Sequence, residues 1–265
     1  MLEKKFFVKY FFCMLFVFSA QITYVNGLNV PVRAKNIEID TSVLATIEEA
    51  YGKIGQADYL IACQEIKTPE GWAFNYGSIS RLVPDTLSDA DYVKSFVSRV
   101  VQNYGDFYRV KEGVSFAMSG IDLSNVQNLA DNIITFINDV NTCKTFDRRT
   151  ITNAIKAAKQ SALSFKNVPD YIDLYSFLNN LSAQLNRISS KNTRYNITIK
   201  RLQDCITNTK AFLQAAVPSR ASGEEASGAC GLSIYFPASG QVSDDYQDTD
   251  FAQYTHWNDF ITQSR

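Results

Sequence analysis

An α/β domain with a mainly parallel sheet, flanked by helices on both faces, is the fold class the sequence predicts. Three observations lead there. Strand-like and helical stretches alternate from residue 36 onward, the order expected of a helix-covered sheet. Tyr59-Leu60-Ile61-Ala62-Cys63 is an unbroken apolar run, as in a strand buried on both faces. The helical stretches carry apolar stripes at 3.6-residue spacing, wide enough to cover such a sheet.

The elements follow in order. Ile37 and Ile39 suggest a short strand ending at Asp40. Val43, Leu44, Ile47, Ala50, Tyr51 and Ile54 then recur along one face of a helix. After the Tyr59 strand, Thr68-Pro69-Glu70-Gly71 forms a loop that leads to Trp72. Ser88 reads as the N-cap of a second helix, with Asp91 three residues on and an apolar set from Tyr92 to Tyr104. Val114, Phe116 and Met118 alternate with small residues, as in a strand. Ser124 is expected to cap a long helix bearing Val126, Leu129, Ile133, Ile137 and Val140. Further helices are expected around 148–160, 172–187 and 197–212. Ser219 to Gly228 reads as an exposed loop. Gly231 to Pro237 reads as a strand closed by proline, and Phe251 to Ile261 as a final helix.

The N-terminus carries an export signal. Lys4, Lys5 and Lys9 precede the apolar run Tyr10 to Phe18, and small residues follow at Ser19 and Ala20. Residues 1–27 are read as a signal peptide, cleaved after Ala20 or after Gly27, and 28–265 as the domain. The apolar run is shorter than the ~20 residues that span a bilayer, so no stable membrane span is expected. An uncleaved signal anchor is the alternative. The predicted destination is outside the cytoplasm: extracellular, periplasmic or at the cell surface.

Removing that segment leaves Cys63, Cys143, Cys205 and Cys230. An even count in an exported chain permits two disulfides in any of about three connectivities, and Cys63 also suits a small buried residue. No CxxC spacing points to zinc. With 26 Lys and Arg against 27 Asp and Glu, there is no basic surface for nucleic acid. Neither a phosphate loop, a dinucleotide fingerprint nor a GxSxG elbow occurs. No cofactor or metal is predicted, and no acidic cluster specifies a calcium site.

One run of motifs goes further. Asp40-Thr41-Ser42-Val43-Leu44-Ala45-Thr46-Ile47-Glu48-Glu49-Ala50-Tyr51, then Ala57-Asp58-Tyr59-Leu60-Ile61-Ala62, then Glu70-Gly71-Trp72 resembles a signature of the clostripain family of cysteine peptidases. Tyr171 to Leu178, Gly231 to Pro237 and Asp250 to Phe260 extend the likeness almost to the end of the chain. The resemblance implies a caspase-like sandwich, here incomplete. It also implies a cysteine–histidine dyad and cleavage after basic residues.

Two departures shape the functional expectation. The position of the family cysteine is Ser42, expected at the start of the helix that follows the strand. The histidine that the resemblance places upstream of Asp40 has no counterpart there, and the only histidine is His256. A helix N-terminus can ionise a thiol but not an alcohol, which needs an adjacent base. No catalytic residue is therefore assigned. Asp40 and Glu70 match acidic positions that grip a basic side chain in the family, while Asp173 and Trp72 are expected to support the fold. The predicted function is an exported, inactive clostripain-like homologue that binds basic peptide segments. The alternative is the cysteine-bearing half of a split Arg/Lys-specific peptidase, completed by a separate histidine-bearing chain.

Overall fold

Leu60, Ile61, Ala62 and Cys63 point alternately to the two faces of strand β2 (Tyr59–Ile66), and all four are buried. Both faces must therefore be covered. The computed structural model describes residues 37–66, 82–110, 116–166 and 168–265, without the side chains of 38–44, 100–110, 116 and 225. The signal peptide predicted at 1–27, Glu70, Trp72 and Val114 lie outside the described residues, as do the side chains of Asp40 and Ser42.

β2 lies between β1 (Ile37–Leu44) and β3 (Phe116–Asp122), and β6 (Ser219–Ser222) completes a four-stranded sheet in the order β1-β2-β3-β6. Only β1 and β2 run parallel; β2–β3 and β3–β6 are antiparallel. A smaller sheet, β4-β5-β7 (Ser164–Phe165, Val168–Asp173, Ser233–Tyr235), is antiparallel throughout. The expectation of a mainly parallel sheet is thus corrected. An apolar run shows that a strand is buried on both faces but does not record the direction of its neighbours.

Helix α2 (Asp89–Val110) covers one face through Tyr92, Val93, Phe96 and Val97, which pack with Ile61, Cys63 and Met118. Ser88 caps it as predicted: its Oγ accepts from the Asp91 amide at 3.2 Å and donates to Asp91 Oδ2 at 2.7 Å. The opposite face, with Leu60, Ala62 and Ile121, packs into the main core. That core is supplied by α1 (Ile47–Gly52), α3 (Val126–Gln160), α4 (Leu174–Leu185), α5 (Thr193–Ala216) and the C-terminal helices α6 (Asp244–Gln247), α7 (Asp250–Thr255) and α8 (Trp257–Gln263). No helix among the described residues is long and apolar enough to cross a membrane.

Several boundaries differ from expectation for local reasons. Asp122, not Ser124, caps the turn before α3, accepting from the Ser124 amide at 3.0 Å. The helix expected at 148–160 is the second part of α3, which breaks at Asp147 (φ −151, ψ 86). Asp147 recaps it by accepting from the Thr150 amide at 2.9 Å. The final helix is two, α7 and α8, because His256 adopts a left-handed conformation (φ 57) between them. Ser219–Gly228 is not simply a loop: it holds β6, a 3-10 turn at Glu224–Ala226 and the buried Ala226.

Among the described residues, Cys63, Cys143, Cys205 and Cys230 are free thiols, so neither of the two disulfides that their count permits is formed. Asp139 pairs with Arg201, and Phe146 stacks on Tyr195 at 5.5 Å, so α3 and α5 run antiparallel. Cys143 and Cys205 each lie one turn past the Asp139–Arg201 pair, in opposite directions. At about 1.5 Å per residue they are separated by about 10–12 Å along the helices, beyond the roughly 4.4–6.8 Å between Cα atoms that a disulfide spans. Burial, then the Asp139 charge, pushes Cys143 up to about 12 and Cys205 to about 11, so both thiols are unreactive at neutral pH. Peptide mapping without reductant is expected to find no Cys143–Cys205 link, even after exposure to oxygen. Recovery of that cross-link would mean α3 and α5 pack in another register.

Candidate functional site

The site predicted from sequence lies on the last turn of chain before α1. β1 pairs with β2 through Ile37–Ile39, then the register breaks: β1 advances from Ile39 to Leu44 while β2 advances only from Ile61 to Cys63. Asp40 to Val43 thus leave the ladder as a wide bulge. Leu44 and Ala45 re-enter it, the Ala45 amide donating to the Cys63 carbonyl at 2.8 Å. The first helical residue is Ile47, capped by Thr46 Oγ1 accepting from the Glu49 amide at 3.1 Å. Ser42 therefore belongs to the strand segment and does not open the helix, as the sequence suggested. Leu44 and Val43 fit the helical spacing, but Thr46 supplies the N-cap and ends the extended chain.

Beside this bulge, at the carboxyl ends of β1 and β2, a buried polar node joins four strands. Gln64 Nε2 donates to Asp173 Oδ2 (3.1 Å) and to Ser233 Oγ (3.0 Å), while its Oε1 accepts from the Gly231 amide (2.8 Å). Asp173 Oδ2 also accepts from the Cys230 amide (2.6 Å), and its Oδ1 caps α4 through the Ser176 amide (2.8 Å). Ser119 on β3 closes the node by donating to the Gly231 carbonyl at 2.6 Å. Burial raises the Asp173 carboxyl, opposed by the amides of Cys230 and Ser176. Gly231 has φ +104, and a Cβ there would sit 2.5 Å from Val217 Cγ1, so only glycine fits.

Asp173 does what the sequence suggested, supporting the fold. Gln64 and Ser233 were missed. The signal was partial: Ser233 is a polar residue inside an apolar run and Gln64 directly follows one, where a buried polar group needs a partner. His256 is exposed at the α7–α8 junction, its Nδ1 3.9 Å from Asp259 Oδ2. No group of three or more metal-ligating side chains occurs among the described residues.

The clostripain family pattern matches residues 28–263. The chain belongs to the clostripain family. Solved structures agree on the fold. A clostripain from Bacteroides thetaiotaomicron ATCC 29148, in complex with the peptide inhibitor BTN-VLTK-AOMK, superposes with a TM-score of 0.52 at 16% identity, covering 83% of this chain and 87% of that one. A secreted C11 cysteine protease from the same species, iotapain, gives 0.50 at 18% identity, covering 80% of this chain and 52% of its own. A secreted C11 cysteine protease of that species in complex with an irreversible peptide inhibitor gives 0.51 at 15% identity, covering 84% and 59%. The chain thus spans only about half to three fifths of the two secreted proteases. Comparison with curated proteins gave no match. Within this clostripain-family fold, Asp40 and Ser42 share one backbone bulge and Gln64, Asp173 and Ser233 form its neighbouring support. Glu70 lies outside the described residues.

Proposed function

We propose that this clostripain-family chain is an exported, non-catalytic homologue that keeps a pocket for basic peptide segments. The observation that carries the reading is Ser42 at the position of the family cysteine, with the chain's one histidine exposed at the α7–α8 junction. A thiol is nucleophilic once modestly acidified, whereas a serine hydroxyl attacks only with a base beside it. Because Ser42 precedes the Thr46 cap, the start of α1 offers it no substitute for that base. Asp40 and Glu70 are the proposed ligand groups, holding an Arg or Lys side chain through charge-assisted hydrogen bonds. A basic ligand accords with the VLTK inhibitor of the B. thetaiotaomicron clostripain, which ends in Lys. Export rests on the basic and apolar segments of residues 1–27 and accords with the secreted relatives.

The purified chain is expected to release no product from Arg or Lys peptide amides. Turnover that disappears in a Ser42→Ala variant would overturn the non-catalytic reading. Calorimetric titration with Arg-containing peptides is expected to show binding that Asp40→Ala weakens about ten- to a hundredfold, the loss of one charge-assisted bond of about 1.5–3 kcal/mol. Unchanged affinity would remove Asp40 from the pocket.

A second reading is favoured by one feature of the sheet. Ile37–Ile39 pair with β2 on one side only, and among the described residues no further strand follows β1 in the four-stranded sheet. A separate histidine-bearing chain docked on that edge would complete a split peptidase. Co-expression with such a chain, followed by the same amide assay, separates the two readings.

A further inference from the structure

Glu48 stands in for a backbone group. β7 meets the chain just after β1 at a single parallel bridge, Thr46–Ser233, where the Ser233 amide donates to the Ala45 carbonyl at 2.9 Å. In a continuing parallel ladder the next inward amide, that of Tyr235, would reach the carbonyl of Ile47. Ile47 is already helical, so its carbonyl points along α1. Glu48 Oε1 takes the Tyr235 amide instead, at 2.9 Å, and the Tyr246 hydroxyl at 3.0 Å. Its other oxygen, Oε2, is buried without a hydrogen-bond partner.

Among the described residues, no cation acts on the Glu48 carboxyl. Tyr171 from β5, Tyr235 from β7 and Tyr246 from α6 face it, with Tyr235 and Tyr246 stacked at 4.2 Å and Tyr171 edge-on to Tyr235 at 5.4 Å. The other charges bearing on this cluster, Glu49 and Asp170, are acidic. Lys53 lies 3.8 Å from Glu49. On the elements packed against α1, Asp131 of α3 and Asp250 of α7 act on Tyr51. Burial pushes the Glu48 carboxyl up to about 7, against the lowering effect of the Tyr235 and Tyr246 hydrogen bonds.

We propose that Glu48 is a proton-operated latch: neutral, it holds β7 and Tyr246 on α1, and ionised, it loosens them. The inference is independent of whether Ser42 or Asp40 acts on a peptide. Its direction is fixed by linkage. A carboxyl that is harder to ionise in the folded chain favours folding below its unfolded value, 4.5, and that advantage is lost as the pH rises through about 7.

The test is amide hydrogen exchange across residues 233–247 between about pH 5.5 and about pH 8.5, expressed as protection after correction for intrinsic exchange. Protection of the Tyr235 amide and its neighbours is expected to fall about tenfold or more in the native sequence. It should stay level in Glu48→Gln, which keeps the acceptor but cannot ionise. Glu49→Gln should behave like the native chain. Should Glu48→Gln fail to fold, Tyr246→Phe removes a donor that favours the ionised form, so protection should be lower throughout but decline with its midpoint at higher pH. Level protection in the native chain, or parallel decline in Glu48→Gln, overturns the latch. So does an unshifted midpoint in Tyr246→Phe.

Discussion

Replacing Trp257 by alanine is expected to bring the chain close to global unfolding. The indole is fully buried. Its ring lies 4.5 Å from Phe260 and 5.7 Å from Phe236, with Phe136 and Phe177 both at 6.4 Å. Its Nε1 donates to the Tyr235 carbonyl at 2.7 Å. Truncating a buried aromatic costs about 3–5 kcal/mol because the cavity collapses only in part. The orphaned carbonyl adds about 1 kcal/mol. Against a typical domain stability of about 5–15 kcal/mol, that is a large share. Urea unfolding checks it, with Trp257→Phe expected to recover much of the packing but not the hydrogen bond. A loss below about 1 kcal/mol would falsify the picture of Trp257 as the centre of the C-terminal core.

The second large effect concerns Asp173. Asp173→Ala removes the cap of α4, worth about 1 kcal/mol. It also strands the half-buried Cys230 amide and one hydrogen of Gln64 Nε2, whose other bond to Ser233 Oγ remains, at about 1–3 kcal/mol each. Relief from burying a carboxyl offsets part of this, so the net loss is expected at about 3 kcal/mol. The asparagine variant is the sharper measurement. Gln64 cannot rotate its amide to help, since its Oε1 already accepts from the Gly231 amide. Both donors meet Oδ2 and the Ser176 amide meets Oδ1, so an asparagine oxygen can serve one side only and its NH2 faces the donors on the other. With its oxygen kept on the Gln64 and Cys230 side, Asp173→Asn should strand only the Ser176 amide, a loss of about 1–3 kcal/mol and less than that of Asp173→Ala in the same unfolding assay, and a nearly neutral asparagine would show that the node is not fixed as drawn.

Much of this architecture was legible from periodicity. The stripes of α2, α3, α4 and α5 and the buried run of β2 mark their elements because helix and strand periods differ and the buried faces are continuous. Strand direction was not legible, nor were β4, β5 and β6. Val168–Asp173 contains Pro169, Asp170 and an exposed stretch, and Ser219–Ser222 is polar. Their pairing is decided by partners distant in sequence. The same holds at the site. The family motif places Asp40 and Ser42 together on a bulge of β1, which spacing alone misread as the start of a helix. The supporting residues Gln64, Ser233 and Glu48 become visible only when β2, β7 and α1 meet. Among these, Glu48 is the least legible, because an acidic residue in the first turn of a helix already has an ordinary explanation in the helix dipole.

The slack in β1 has a consequence for changes in that stretch. Pairing breaks after Ile39 opposite Ile61 and resumes at Leu44 opposite Cys63, so the segment works like an expansion joint between two clamped rails. A residue added to or removed from an ordinary strand would turn every later side chain to the wrong face. Here the error is absorbed before Ala45, and the core downstream keeps its alignment. Evolution, or an engineer, can therefore rewrite the residues carried by that joint without renegotiating the rest of the sheet.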